Sequence, residues 1–192
     1  MEATTIPISP IRQNPGTGGF LDPDRIAEEF QIIEGMKIAD FGSGSGYFTI
    51  LMALKTGSSG KVYALDILKD KLDGVVAKAR SSGIENIEPI RTDLEILGSS
   101  GLTAGSLDIV LLANILFQSH KHSNIVEEGV RVLKKGGRMI IIDWQKGTGG
   151  FGPPDNIRVS QPEIKAVAEK LGLSFASQFD SGQFHFGLIF KK

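Results

Sequence analysis

The sequence predicts an α/β domain in which a largely parallel sheet is covered by helices on both faces and closed by an antiparallel hairpin. Three observations carry that prediction. From residue 37 to residue 143, short apolar runs of strand length alternate with segments of helical period. Residues 37–49, Lys-Ile-Ala-Asp-Phe-Gly-Ser-Gly-Ser-Gly-Tyr-Phe-Thr, pass from a strand through three glycines at every second position into a helix. Near the end, the apolar runs Ser174–Phe179 and Phe184–Phe190 flank the short turn Asp180-Ser181-Gly182-Gln183.

Taken in order, residues 1–20 combine Pro7, Pro10 and Pro15 with Gly16, Gly18 and Gly19, and read as an extended arm or lid; residues 21–192 read as one domain. Asp22 before Pro23 is a helix cap with proline at the first helical position, and that helix is expected to end near Gly35. Then follow strand 37–41, helix 46–56, strand 61–66, helix 69–81, strand 86–90, strand 107–113, helix 120–134 and strand 137–143. Gly83 and Gly136-Gly137 stand where left-handed helix caps are common. A Gly/Pro-rich stretch at 147–154 leads to a last helix near 161–171, opened by Gln161-Pro162-Glu163, before the hairpin.

Bulk properties narrow the possible functions. A chain of 192 residues suits one sizeable core and is too short for two nucleotide-binding halves plus a substrate domain. Its 21 basic and 22 acidic residues nearly cancel, which argues against nucleic acid as a partner. The absence of cysteine removes disulfides, thiolate metal sites and a Cys nucleophile, and no metal site is expected. No apolar run approaches the roughly 20 residues of a membrane helix, and the N-terminus does not read as a signal peptide, so the expected location is cytoplasmic.

The glycine turn sits at the carboxyl end of a strand, where open α/β sheets hold ligands, and aims the next helix's amides at whatever binds there. Dinucleotide sites use G-x-G-x-x-G at this place; here the order is G-x-G-x-G, with Tyr47 at the position of the third glycine. Asp40 precedes the turn and no lysine or arginine lies between it and Ile50, a pattern that suits a cationic ligand better than a pyrophosphate. Asp66, at the tip of Val62-Tyr63-Ala64-Leu65-Asp66, can accept hydrogen bonds from ribose hydroxyls, a geometry shared by nicotinamide and S-adenosylmethionine enzymes. Asp93 with Leu94 ends the third strand, where a carboxylate and an apolar side chain can frame an adenine. Leu107–Asn114 is a strand whose end should pass beside the reactive group.

Together, Ala39-Asp40-Phe41-Gly42-Ser43-Gly44-Ser45-Gly46, Asp66, Asp93, Leu107-Asp108 with Ala113-Asn114, and Leu133-Lys134-Lys135-Gly136-Gly137-Arg138 running into Ile140-Ile141-Ile142-Asp143-Trp144 resemble the class I S-adenosylmethionine-dependent methyltransferases. The resemblance is greatest to small stand-alone enzymes related to ubiquinone and menaquinone biosynthesis methyltransferases, and covers roughly residues 20–190. It implies a Rossmann-like seven-stranded sheet in the order 3-2-1-4-5-7-6 with an antiparallel last strand. The implied cofactor is S-adenosyl-L-methionine, leaving as S-adenosyl-L-homocysteine, and the implied partner is a small-molecule methyl acceptor. The cofactor set it suggests is Asp40, Gly42, Ser43, Gly44, Gly46, Tyr47, Asp66, Ile67, Asp93, Leu94, Ala113 and Asn114, with Asp40 near the methionine amino group. Relatives often carry a histidine shortly after the fourth strand; Phe117 stands there in this chain.

No catalytic residue is assigned from the sequence. Candidate bases, in order, are Asp143, His120 and His185, of which His185 reads as an outward-facing hairpin residue. His122 suits a helix start, Trp144 is placed for packing or for binding, and Lys134 and Lys135 suit the last turn of a helix. Asp108 starts a strand at the end opposite the ligand crevice and reads as structural. Alternatives to small-molecule methylation are an RNA or protein methyltransferase, an NAD-dependent oxidoreductase, and a non-catalytic adenosine-nucleoside-binding module; a homodimer is compatible with all of them.

Overall fold

The computed structural model describes residues 21–192. The arm expected at 1–20 lies outside the described residues. Helix α1 (Pro23–Glu29) is followed by β1 (Lys37–Phe41), α2 (Tyr47–Thr56), β2 (Lys61–Asp66), α3 (Lys69–Ser81), β3 (Ile87–Arg91) and β4 (Leu107–Ala113). After a 3-10 turn at Leu116–Gln118 come α4 (His122–Val132), β5 (Leu133–Trp144), α5 (Gln161–Lys170), β6 (Ser174–Asp180) and β7 (His185–Lys191). The seven strands lie in the order β3-β2-β1-β4-β5-β7-β6. β1 to β5 pair in parallel, and β7 runs antiparallel to both β5 and β6.

Strand alternation sorts the sheet's side chains onto two faces. Ile38, Ile109, Leu111, Ile140 and Ile142 pack with Ile26, Phe30 and Met52 of the α1 and α2 layer. Phe41, Val110, Leu112, Met139 and Ile141 pack with Ile125, Val126 and Ile164 of the α4 and α5 layer. Asp40 therefore shares the α1/α2 face with Ile38, whereas Asp143 shares the α4/α5 face with Ile141.

Three expectations from the sequence need correction. Helix α1 stops at Glu29 instead of running toward Gly35, because Phe30 is anchored in the core against Phe48 (ring centroids 5.6 Å apart) and Gln31 then turns left-handed at φ 47°. Helix α4 ends at Val132, and β5 begins at once with Leu133, which pairs with Leu107. Lys134 and Lys135 are accordingly strand residues and Gly136 is not a helix cap; Lys134 forms an ion pair with Asp108, whose Oδ2 also accepts from Lys37 N at 2.8 Å. Finally, His185 is buried. β7 lies between β5 and β6 and is buried on both faces along all but its last residue, whereas β6, at one edge of the sheet, is exposed.

Candidate cofactor and active site

The turn after β1 is held in shape by the strands beside it. Gly42 N and Ser43 N donate to Leu65 O at 2.8 and 2.9 Å, and Gly46 N donates to Ser43 O at 2.8 Å. The three glycines take φ values of 76°, 51° and 77°, a left-handed conformation that disfavours other residues. Their surroundings differ. A Cβ at Gly42 would lie 2.6 Å from Ile115 Cδ1 and one at Gly46 2.7 Å from Val75 Cγ2, whereas at Gly44 the nearest atom is Gly42 O at 4.0 Å. Gly42 and Gly46 thus admit close packing, and Gly44 keeps space open. Asp66 pins the turn from β2: its Oδ2 accepts from Gly44 N and its Oδ1 from Leu68 N, both at 2.9 Å.

Two cavities of about 480 Å³ flank this turn and share Gly42, Gly44 and Gln118. One is bordered by Asp66, Ile67, Thr92, Asp93, Leu94 and Ile115. The other is bordered by Asp40, Ser43, Tyr47, Phe48, Ala113 and Asn114. Of the cofactor residues expected from the sequence, Gly46 alone borders neither, since it packs on Val75. Missing from that expectation are Thr92, Ile115, Gln118 and Ser119. The last three follow the end of β4, a position that signals a ligand-side loop but does not show which way it folds.

Asp40 is 2% exposed and accepts from Thr49 Oγ1 at 2.6 Å. Burial pushes its carboxyl up to about 6; the Thr49 hydroxyl opposes the rise and the Asp66 charge adds to it. Nearby, Ser43 Oγ and Asn114 Oδ1 are buried without a hydrogen-bond partner among the described residues. Asn114 is itself left-handed at φ 56°, its N–H donating to Ile142 O at 2.8 Å and its carbonyl accepting from Gln118 Nε2 at 2.7 Å. Among the described residues, no lysine or arginine borders this second cavity. Lys78 does reach the turn, but donates to Ser45 O at 2.7 Å.

The carboxyl end of β5 is organised differently. Asp143 is fully buried, bordering neither cavity, and its carboxylate accepts from Leu116 N at 3.0 Å and Trp144 N at 2.8 Å. Burial raises it to about 6 against those amide bonds. Trp144 lies across from His185, ring centroids 4.2 Å apart, with the Arg158 guanidinium 5.6 Å from the indole centre. Neither nitrogen of His185 has a hydrogen-bond partner among the described residues, and burial, aided by Arg158, pushes the imidazole down to about 4. Arg158, which the sequence did not single out, is 4% exposed and donates to the carbonyls of Gln145, Phe151 and Pro153 and to Thr148 Oγ1, holding the 145–153 loop. His120 is exposed, and His122 starts α4 with Nε2 3.3 Å from Glu163 Oε1.

A sheet of this order, with its antiparallel seventh strand and a glycine turn after β1, defines the class I S-adenosylmethionine-dependent methyltransferase architecture. Residues 32–179 match the family model described as a methyltransferase domain, and the chain belongs to that family. A crystal structure of a SAM-dependent methyltransferase from Aquifex aeolicus superposes with a TM-score of 0.81 at 26% identity, covering 92% of this chain and 93% of that one. Among curated proteins, the chain is 31% identical over 116 residues to a demethylmenaquinone methyltransferase of Lactococcus lactis, covering 60% of this chain and 45% of the relative. It is 28% identical over 116 residues to an arsenite methyltransferase of Aquipseudomonas alcaligenes, covering 58% and 34%. The match thus spans less than half the length of either curated relative. The cofactor of the family is S-adenosylmethionine, and the residues present fit it. A buried carboxylate and two buried polar atoms without a partner, beside a cavity that no basic residue borders among the described residues, suit the ammonium end of an amino acid. No helix among the described residues is long and apolar enough to cross a membrane.

Proposed function

We propose that the protein transfers the methyl group of S-adenosylmethionine to a small-molecule acceptor. The observation that carries this reading is the division of polar groups about the glycine turn: Asp40, Ser43 and Asn114 on one side, Asp66 and Asp93 on the other. In this arrangement Asp40 and the orphan oxygens of Ser43 and Asn114 receive the methionine ammonium, Asp66 receives the ribose hydroxyls, and Asp93 with Leu94 frames the adenine. Each Asp66 oxygen accepts one bond from a backbone amide and keeps a lone pair for a ligand. A pyrophosphate seated beside Asp40 would meet no cation among the described residues bordering that cavity, Lys71 lying on the other one, which speaks against NAD.

The bound cofactor supplies a methyl group made electrophilic by the sulfonium. The protein's own contribution is alignment and exclusion of water, which suffice for much of the rate when the acceptor already presents a lone pair. A protonated acceptor would also need a proton acceptor. Of the three candidates, His185 is neutral and unpartnered on the α1/α2 face, the side of the sheet that carries Asp40. The relatives named for demethylmenaquinone and arsenite support a small acceptor. The lack of cysteine in these 192 residues disfavours arsenite, a thiol-seeking substrate.

Isothermal titration with S-adenosylhomocysteine and with NAD tests the cofactor; heat with the first and none with the second is expected, and the reverse result removes the reading. Incubation with methyl-labelled cofactor and a panel of quinols, phenols and amines, read by mass spectrometry, then tests the acceptor class. Label appearing only in added RNA or protein would overturn the small-molecule assignment.

A further inference from the structure

We propose that Asp143 is a positioning residue for the cofactor site, its carboxylate fixing the segment 114–118 that borders both cavities. The inference rests on the cofactor reading above and removes Asp143 from the candidate bases. Its carboxylate accepts from backbone amides, Leu116 N at 3.0 Å and Trp144 N at 2.8 Å, and the nearby amide of Phe117 also favours its charged form. It lies on the α4/α5 face while Asp40 lies on the other, so the sheet separates it from the methionine-side cavity.

What the anchor holds is specific. Leu116 is fully buried beneath the turn, which leaves Ile115 packed over Gly42. Gln118 folds back onto Asn114 O at 2.7 Å and borders both cavities. Asn114, held left-handed, presents its unpartnered Oδ1. An ionised acceptor makes the stronger kind of amide hydrogen bond, and here it closes the amides at the start of a 3-10 turn that no capping side chain of its own satisfies. In short, Asp143 reaches through the sheet's end to set the wall of a site it never touches.

Asp143→Asn tests this, because it keeps the shape but turns an NH2 group toward N–H donors. Binding of S-adenosylhomocysteine is measured by titration, and backbone hydrogen exchange is followed along the chain by mass spectrometry. We expect affinity to weaken about tenfold, exchange to rise at 114–118 and not across the strands, and ligand to restore protection of that segment. Unchanged affinity, unchanged exchange at 114–118, or exchange raised uniformly along the chain would each overturn the inference. Wild-type protein that binds no S-adenosylhomocysteine removes the cofactor reading and this inference together, whereas equal binding by wild type and variant removes the inference alone. If Asp143→Asn does not fold, Asp143→Ser, smaller and still an acceptor, takes the same measurements.

Discussion

The ends of β1 and β5 each carry a buried carboxylate that burial raises to about 6, and the two do opposite things. Asp40 is held by Thr49 alone, whose hydroxyl donates to it and whose amide also favours its charged form; it sits beside orphan polar atoms and borders a cavity. Asp143 is satisfied by backbone amides and borders none. Arg158, near the β5 end, behaves like Asp143, giving its donors to loop carbonyls. A charged group at a strand's carboxyl end is thus a ligand contact only if the fold leaves its hydrogen bonds unspent. The β1 end leaves polar valences open beside a cavity, whereas the two charged groups at the β5 end, Asp143 and Arg158, have theirs closed.

The largest effect that would sharpen this contrast is on stability at the closed end. Arg158→Ala removes a buried guanidinium with its hydrogen bonds to the carbonyls of Gln145, Phe151 and Pro153 and to Thr148 Oγ1, and takes away the cation over Trp144. We expect a loss of about 3–5 kcal/mol of unfolding free energy in urea denaturation. Titration of the folded fraction with S-adenosylhomocysteine should give an affinity near that of wild type. A weakening as large as that caused by changes at Asp40 would make the β5 end part of the cofactor site and break the comparison.

Next in size is Asp40→Asn, which moves stability and binding in opposite directions. Because the folded-state pKa is raised from 3.8 to about 6, the native protein holds this proton more tightly than the unfolded chain, and its ionisation lowers stability as pH rises from about 4 to about 6. Asparagine removes that loss while still accepting from Thr49. At pH 7 the variant without ligand should therefore gain up to about 3 kcal/mol, by the usual 1.36 kcal/mol per pKa unit, with the difference from wild type vanishing near pH 4. Its affinity for S-adenosylhomocysteine should fall. In the wild type the ligand's ammonium favours the ionised carboxylate, so affinity should weaken on acidification below about pH 6, toward about tenfold per pH unit, with proton release measurable as buffer-dependent heat. A pH-independent affinity between 5 and 7 would detach Asp40 from the ammonium.

Most of the open end was legible in the sequence and little of the closed end was. Glycines at 42, 44 and 46 together with Asp40, Asp66 and Asp93 are local signals, each fixed by its place at a strand's end, and alternation along β1 already sets the face on which Asp40 lies. The roles of Asp143, Arg158 and His185 depend on non-local pairing. Burial of His185 follows from β7 lying inside β6, which local patterning does not contain. Arg158 sits in an irregular segment, and its carbonyl partners come from a loop whose shape the arginine itself helps to set. The start of β5 departs from the expectation for a related reason: Leu133 and Lys134 suit a helix end and Gly136-Gly137 suit its cap, but pairing with Leu107 and Lys192 draws the segment into the sheet.

The smallest effect concerns Gly44, and it separates the two uses of glycine within the turn. Gly46→Ala places a Cβ 2.7 Å from Val75 and borders no cavity, so it should lower the thermal midpoint with affinity for S-adenosylhomocysteine largely kept in the folded fraction. Gly44→Ala meets no atom closer than 4.0 Å, so its stability cost is the left-handed backbone alone, about 1–2 kcal/mol. Yet its methyl group would enter space that both cavities share. Gly44→Ala should therefore be the milder change in differential scanning fluorimetry and the more damaging one in ligand titration. If the two variants ranked the same way in both measurements, the opening at Gly44 would be a packing feature and not the seat of a ligand.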